Sequence, residues 1–272
     1  MRIKHVFVAI VAFLVMIAPV YLAAEENTNA DESADLGDVA EGYSTLDRII
    51  FSRTAVNNPA KQINLTGYAV GIWDINYSIN HNFNVGGAIL LPIYSSAIMP
   101  HASANVFVHK NLAIGMGLFA GIWSYYANNK DSYFLWFSGG HVAMTYVNGR
   151  HLLNISALCG TGGDYNKERD FIFSKGLVVI PNIGYRFSVN KTWALLLEAH
   201  APCIINAENS SSENIKEYEY GKIWAVAYGF RGQGGHVFGD FGFVLPLYRE
   251  FIKTTWKYVP LGIPYFAIGV QF

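Results

Sequence analysis

Ten polar or ionisable side chains fall at positions where an alternating chain would turn them to one side: Asp74, Asn76, His109, His141, Asn154, Arg186, Glu198, His200, Arg231 and Asp240. Opposed carboxylates and guanidiniums around a narrow lumen would set ion or solute selectivity. The same groups paired with one another would instead brace and fill an interior, because inward polar groups need partners whether or not anything passes. Asp74, His141, Arg186, Glu198, His200, Arg231 and Asp240 are the candidates for lining a pore. Glu198 and His200 also lie two apart on one face, but no Ser accompanies them in a His-x-Ser arrangement, so the pairing of base and nucleophile is unfilled. No catalytic residue is assigned. The eight histidines show no zinc-binding spacing, and Gly160-Thr161-Gly162-Gly163 lacks the Lys and helix of a phosphate cradle. No metal or cofactor is expected. The basic residues are too dispersed for a nucleic-acid surface.

The elements that would position these groups are constrained by composition. The chain is 52% hydrophobic and 15% aromatic, with 26 Gly and only 14% charged residues. Arg2 and Lys4 precede one long apolar run, Val6 to Ala24, ending in small residues, so 1–24 reads as a secretory signal peptide; an uncleaved anchor is the alternative. Residues 25–47 carry Glu25, Glu26, Asp31, Glu32, Asp35, Asp38, Glu41 and Asp47 before any basic residue, and read as an acidic, disordered periplasmic segment. There is no second apolar run of ~20 residues, which excludes a helical inner-membrane protein.

Residues 48–272 instead present twelve segments of alternating character: 48–56, 64–79, 83–93, 101–109, 112–126, 132–147, 151–162, 172–188, 192–204, 219–231, 235–248 and 263–272. The shortness of 48–56 and 101–109 leaves ten and fourteen as alternative counts. Connections sort by parity. One set is brief and rich in Asn and Gly, at 80–82, 110–111, 148–150, 190–191 and 232–234; the other includes the longer 161–170, 206–218 and 249–261. Side chains sort too. Leu112, Ile114, Met116, Leu118 and Ile122 share one face, and Ala113, Gly115, Gly117, Phe119, Gly121 and Trp123 the other. Every charge placed at mid-strand falls on the inner face, as it must where a charge at a lipid midplane costs about 2–4 kcal/mol. Cys159 and Cys203 fall outward on strands that are not neighbours, which predicts two free thiols.

The chain ends on a strand, with Phe266, Ile268, Val270 and Phe272 on one face and Tyr265, Ala267, Gly269 and Gln271 on the other. This resembles the closing strand of Gram-negative outer-membrane β-barrels, whose assembly machinery reads a final aromatic residue behind alternating apolar positions. The resemblance implies an all-β, closed antiparallel transmembrane barrel in the cell outer membrane, with outer-membrane lipid and the barrel assembly machinery as partners. Twelve-stranded relatives of that kind include solute channels, autotransporter domains and lipid-modifying enzymes, so the fold does not name a solute. A narrow channel or small-solute binding barrel is expected. The competing classes are a non-conducting structural or surface barrel and, third, a lipid-modifying enzyme.

Overall fold

The computed structural model describes residues 46–68, 71–90, 95–127, 131–165, 177–201, 203–205, 224–247 and 252–272, apart from 254, 255 and 257. Its strand segments are β1 (Gln62–Tyr68), β2 (Ile72–Ser78), β3 (Phe83–Leu90), β4 (Ser95–His109), β5 (Leu112–Ala127), β6 (Asp131–Asn148), β7 (His151–Tyr165), β8 (Leu177–Ser188), β9 (Trp193–His200), β10 (Cys203–Ile205), β11 (Ala225–Gly234), β12 (Val237–Pro246) and β13 (Ile263–Gln271). Sequential neighbours pair antiparallel, β13 pairs back onto β1, and β9 and β10 lie along β8 as two pieces of one stave. The result is a closed barrel of twelve staves, each hydrogen-bonded to a neighbour on both sides over at least part of its length.

Alternation explains why these residues form staves rather than helices. On β5, Ile114, Met116, Leu118 and Ile122 are exposed on the outside, while Ala113, Gly115 and Gly117 are buried within. The same outward exposure recurs at Ile63, Ile75, Ile155, Leu197, Phe241, Phe266 and Ile268. An apolar belt of this extent is out of place in water and is what a bilayer core requires.

The two rims differ. At one, the connections are short: 79–82, 110–111, 149–150, 189–192 and 235–236. The Asn80 side chain accepts the backbone N–H groups of Asn82 and Phe83, and Asn190 those of Thr192 and Trp193, two turns built by one device. Gly149 and Gly235 take left-handed backbone conformations, φ 54° and 56°, that these tight reversals need. By the rule that short turns are periplasmic, this is the inner rim.

Three expectations are corrected. The segment 48–56 is not a strand of the wall: it is folded inside the barrel, with Arg48, Ile49 and Ile50 buried and only a bridge between Arg48 and Arg53. The expected single strand 64–79 is a hairpin, β1 and β2. Its three-residue connection, 69–71, returns the chain with outward positions still odd-numbered, so the pattern runs through the turn unbroken. The expected twelve is therefore reached with a different first member. Lastly, His109 does not face the lumen. A bulge between Phe107 and His109 shifts the register by one, setting His109 opposite Leu112 at the inner rim, where it is exposed.

Wall height is uneven. β5, β6 and β7 run 16, 18 and 15 residues, whereas β1 and β2 have seven each.

Candidate functional site

The segment 46–58 is the centre of the lumen. Its apolar side chains Leu46, Ile49, Ile50, Ala55 and Val56 pack on inward Ala113, Ala143, Val147, Leu152, Leu196, Ala227 and Tyr265 in one buried cluster. Its polar groups are met by three charged places on the wall and by neutral side chains between them.

Glu198, fully buried on β9, is the first. Its carboxylate accepts three successive backbone N–H groups of the inserted segment, from Ile50 at 2.7 Å, Phe51 at 3.1 Å and Ser52 at 3.1 Å. It also accepts the Ser52 hydroxyl at 2.7 Å and faces His200 Nε2 at 3.0 Å. Consecutive N–H groups converging on one carboxylate form a concave anion nest, and charge-assisted bonds of this kind are about twice as strong as neutral ones.

Arg231 on β11 is the second. It makes a forked pair with Asp240 of β12, at 2.6 and 2.7 Å, and donates to the Ile49 carbonyl at 2.7 Å. The ladder sets the pair, since Arg231 and Asp240 are directly opposite. Arg186 donates to Gln233 at 2.9 Å beside it.

Asp74 on β2 is the third. It receives Arg53 of the segment at 2.7 Å and lies 2.9 Å from His101 Nε2 and 3.8 Å from Arg48. Arg53 also reaches Asp47 at 3.0 Å, which accepts the Asn76 amide at 3.1 Å, and Arg48 donates to the Tyr68 and Thr66 hydroxyls. Thr145 accepts the Ala55 N–H at 2.7 Å, and Asn154 donates to the Arg53 carbonyl at 3.1 Å.

The wall thus offers Asp74, Glu198 and Asp240 against Arg186 and Arg231, and the segment brings Arg48 and Arg53 against Asp47. Four carboxylates meet four guanidiniums. Neither partner balances alone, and together they do, which is why the segment can lie in a low-dielectric interior.

Nearer the other rim the lining changes character. Phe119, Phe137 and Leu158 face inward there, over glycines that leave them room: a Cβ at Gly139 or Gly121 would come within 2.7 Å of Phe119 or 2.3 Å of Phe137. Phe51 on the top of the inserted segment, Trp123 and Leu158 keep 46%, 40% and 39% of their surface open. His101, His141 and His200 stand around this floor, His141 lying across Gly117. The lumen is a plug below and an apolar cup above.

Of the expected pore-facing residues, Asp74, His141, Arg186, Glu198, His200, Arg231 and Asp240 all face inward. Five of them are committed to the plug or to wall pairs, His200 bonds Glu198, and His141 faces the cup. The sequence reading missed Asp47, Arg48, Ser52, Arg53 and His101, all of which join them. Ser52 does come to the Glu198–His200 pair, but the carboxylate lies between hydroxyl and imidazole, whereas nucleophile activation needs the base between them. Among the described residues no three or more His, Cys, Asp or Glu are grouped to hold a metal. Cys159 is a free thiol. Cys203 pairs with Val179, which pairs with Cys159 on its other side, so a whole strand separates the two; the Cys203 side chain lies outside the described residues. So do the signal segment and the acidic stretch, except that Leu46 and Asp47 are buried in the plug.

No protein-family model and no curated protein matches the chain. Among solved structures it is similar to the NanC porin (TM-score 0.46, 8% identity, 78% of this chain and 98% of that one). It is also similar to the KdgM porin (TM-score 0.41, 8% identity, 78% and 96%). A third is the translocator domain of the autotransporter NalP from Neisseria meningitidis (TM-score 0.38, 10% identity, 93% and 97%). No solute or residue role is carried over from these. The chain's own closure, its lipid-facing belt and its sorted rims make it a transmembrane β-barrel of the bacterial outer membrane.

Proposed function

We propose that the protein is a small-solute channel of the outer membrane, shut at rest by its own segment 46–58 and holding its solute in the apolar cup above that plug. The observation that carries this reading is the nest around Glu198. The plug is fastened by a few concentrated polar contacts on a charge-matched wall, so loss of one wall carboxylate leaves its donors unmet and favours release. The cup supports the solute half, because inward-facing aromatic and aliphatic surface left open in a lumen is what an apolar ligand covers. Outer-membrane lipid surrounds the belt, and the outward row Phe266, Ile268, Val270 and Phe272 is the surface offered to the assembly machinery.

The test is single-channel conductance in a planar bilayer of the protein lacking residues 1–24, beside Glu198→Ala and Arg231→Ala. Hydrogen bonds to a charged group are worth about 1.5–3 kcal/mol each, so the wild type should stay shut almost throughout and both variants should open at least tenfold more often. Folded, heat-modifiable variants that never conduct would sink the channel reading. That outcome would favour a non-conducting surface barrel acting through the segment 206–218.

A further inference from the structure

The uneven wall has a consequence at the height of the plug. At ~3.3 Å per residue and a ~40° tilt, the seven residues of β1 or β2 climb only ~18 Å, against an apolar band ~25 Å tall. On β5 the outward apolar row runs on to Ile122, the eleventh residue from the inner end, so the band is fully walled there. The β1–β2 hairpin closes tightly, since the Gly71 N–H bonds the Tyr68 carbonyl at 3.1 Å and Gly71 sits at φ 83°. Among the described residues the ladders on either side end level with it. Within those residues β1 pairs with β13 as far as Tyr68 opposite Ala267, and β2 with β3 as far as Ile72 opposite Leu90. Among the described residues, Ile263 to Phe266 continue upward paired with β12 alone, and Pro264, which has no N–H to offer, lies in that stretch, as proline does at strand edges.

The notch opens onto the plug's upper surface. Phe51 stacks on Tyr68, the last residue of β1, with ring centres 6.3 Å apart, and leans on Tyr265 of β13 at 5.4 Å and His200 at 6.4 Å. The half-exposed ring of Phe51 is therefore level with the hairpin crest, inside the notch and below the outer limit of the band.

We infer that the β1–β2 notch is a side entrance joining the cup to the outer leaflet, and that the ligand of the cup is an uncharged apolar molecule dissolved in that leaflet, received first by Phe51, Tyr68 and Tyr265. This rests on the cup being the solute-binding half of the barrel, and it specifies the class of solute and its route. A charged or sugar-like solute would approach from water past the long loops and gain nothing from a gap in lipid.

The test places a photoreactive group in the cup: Phe51→p-benzoylphenylalanine, in the protein lacking residues 1–24, reconstituted in phosphatidylcholine vesicles and irradiated. The same group at lipid-facing Leu118 marks full labelling, and at buried Val56 marks none. The expected result is an acyl-chain adduct at position 51, cut at least fivefold when the hairpin is raised by inserting Thr-Val-Thr-Val on each side of Gly71. If that variant does not assemble, Ile72→Trp obstructs the same opening from the inner face. No adduct at 51, or one undiminished by both obstructions, would overturn the side entrance. Conductance of Glu198→Ala reports separately on the channel: a closed notch with intact conductance removes this inference alone, and an acyl adduct in a barrel that never conducts removes the channel alone.

Discussion

The lower and upper halves of this lumen solve opposite problems with the same staves. Below, the wall is charged and the chain supplies its own complement, so Glu198, Arg231 and Arg186 are wholly buried yet bonded. Above, the wall is apolar and nothing in the described chain covers Phe51, Trp123 or Leu158 fully. That contrast assigns specificity to one half. Buried charge is tolerable only when matched, so the plug half is fixed in composition. The cup half carries no such constraint and can be shaped to a ligand. Asp240→Ala should give the largest effect in the molecule, because it removes the carboxylate that accepts a forked pair of bonds from the fully buried Arg231. Breaking one side of a buried pair costs about 3–5 kcal/mol, which urea unfolding in vesicles would read as a large fall in midpoint. A change below about 1 kcal/mol would mean that water already reaches Arg231, and that the two halves are less distinct than their geometry says.

A smaller effect sharpens the boundary between the cup and the lipid. Leu118 and Leu158 are both apolar, both about two-fifths exposed, and on opposite faces of the wall. Leu118→Lys places an ammonium in the bilayer core and should cost about 2–4 kcal/mol. Leu158→Lys places it in the cup, where it should cost less than about 0.5 kcal/mol, as at other surface sites. Equal losses in urea midpoint would show that the cup is as dry as the lipid.

Much of this was legible in the sequence. Alternation placed the wall, its inner and outer faces and its closing strand, because a strand with lipid on one side must keep charge off that side. The same rule, applied strictly, would have refused 48–56 as a wall strand. Arg48 and Arg53 fall on opposite parities, so one of them would have pointed into lipid in any register. The β1–β2 turn was hidden for another reason: an odd-numbered connection preserves parity, and Tyr68 to Gly71 holds none of the Asn or Asp residues that mark the turns of the opposite rim. His109 was misplaced because a one-residue bulge leaves no mark in a pattern of types. The plug's contacts were out of reach altogether. Nothing local in the sequence couples Ser52 to Glu198 or Ile49 to Arg231, since those distances are set only when the barrel closes around the segment.

The finest contrast lies within the plug, between two consecutive residues that face opposite ways. Ile50 is buried in the cluster that seats the segment, and Phe51 is open to the cup. Ile50→Ala removes packed methyl groups from a site that cannot collapse, a change that typically costs about 2–5 kcal/mol. Phe51→Ala removes a larger side chain, yet one with roughly half its surface already uncovered, so the loss should be about 1 kcal/mol or less. The smaller residue should therefore matter more to folding and the larger one more to whatever enters the cup. Urea midpoints of the two variants, measured side by side in vesicles, decide it. If Phe51→Ala proved the costlier, the aromatic cluster with Tyr68 and Tyr265 would be part of the plug's core, and the floor of the cup would have to be moved above it.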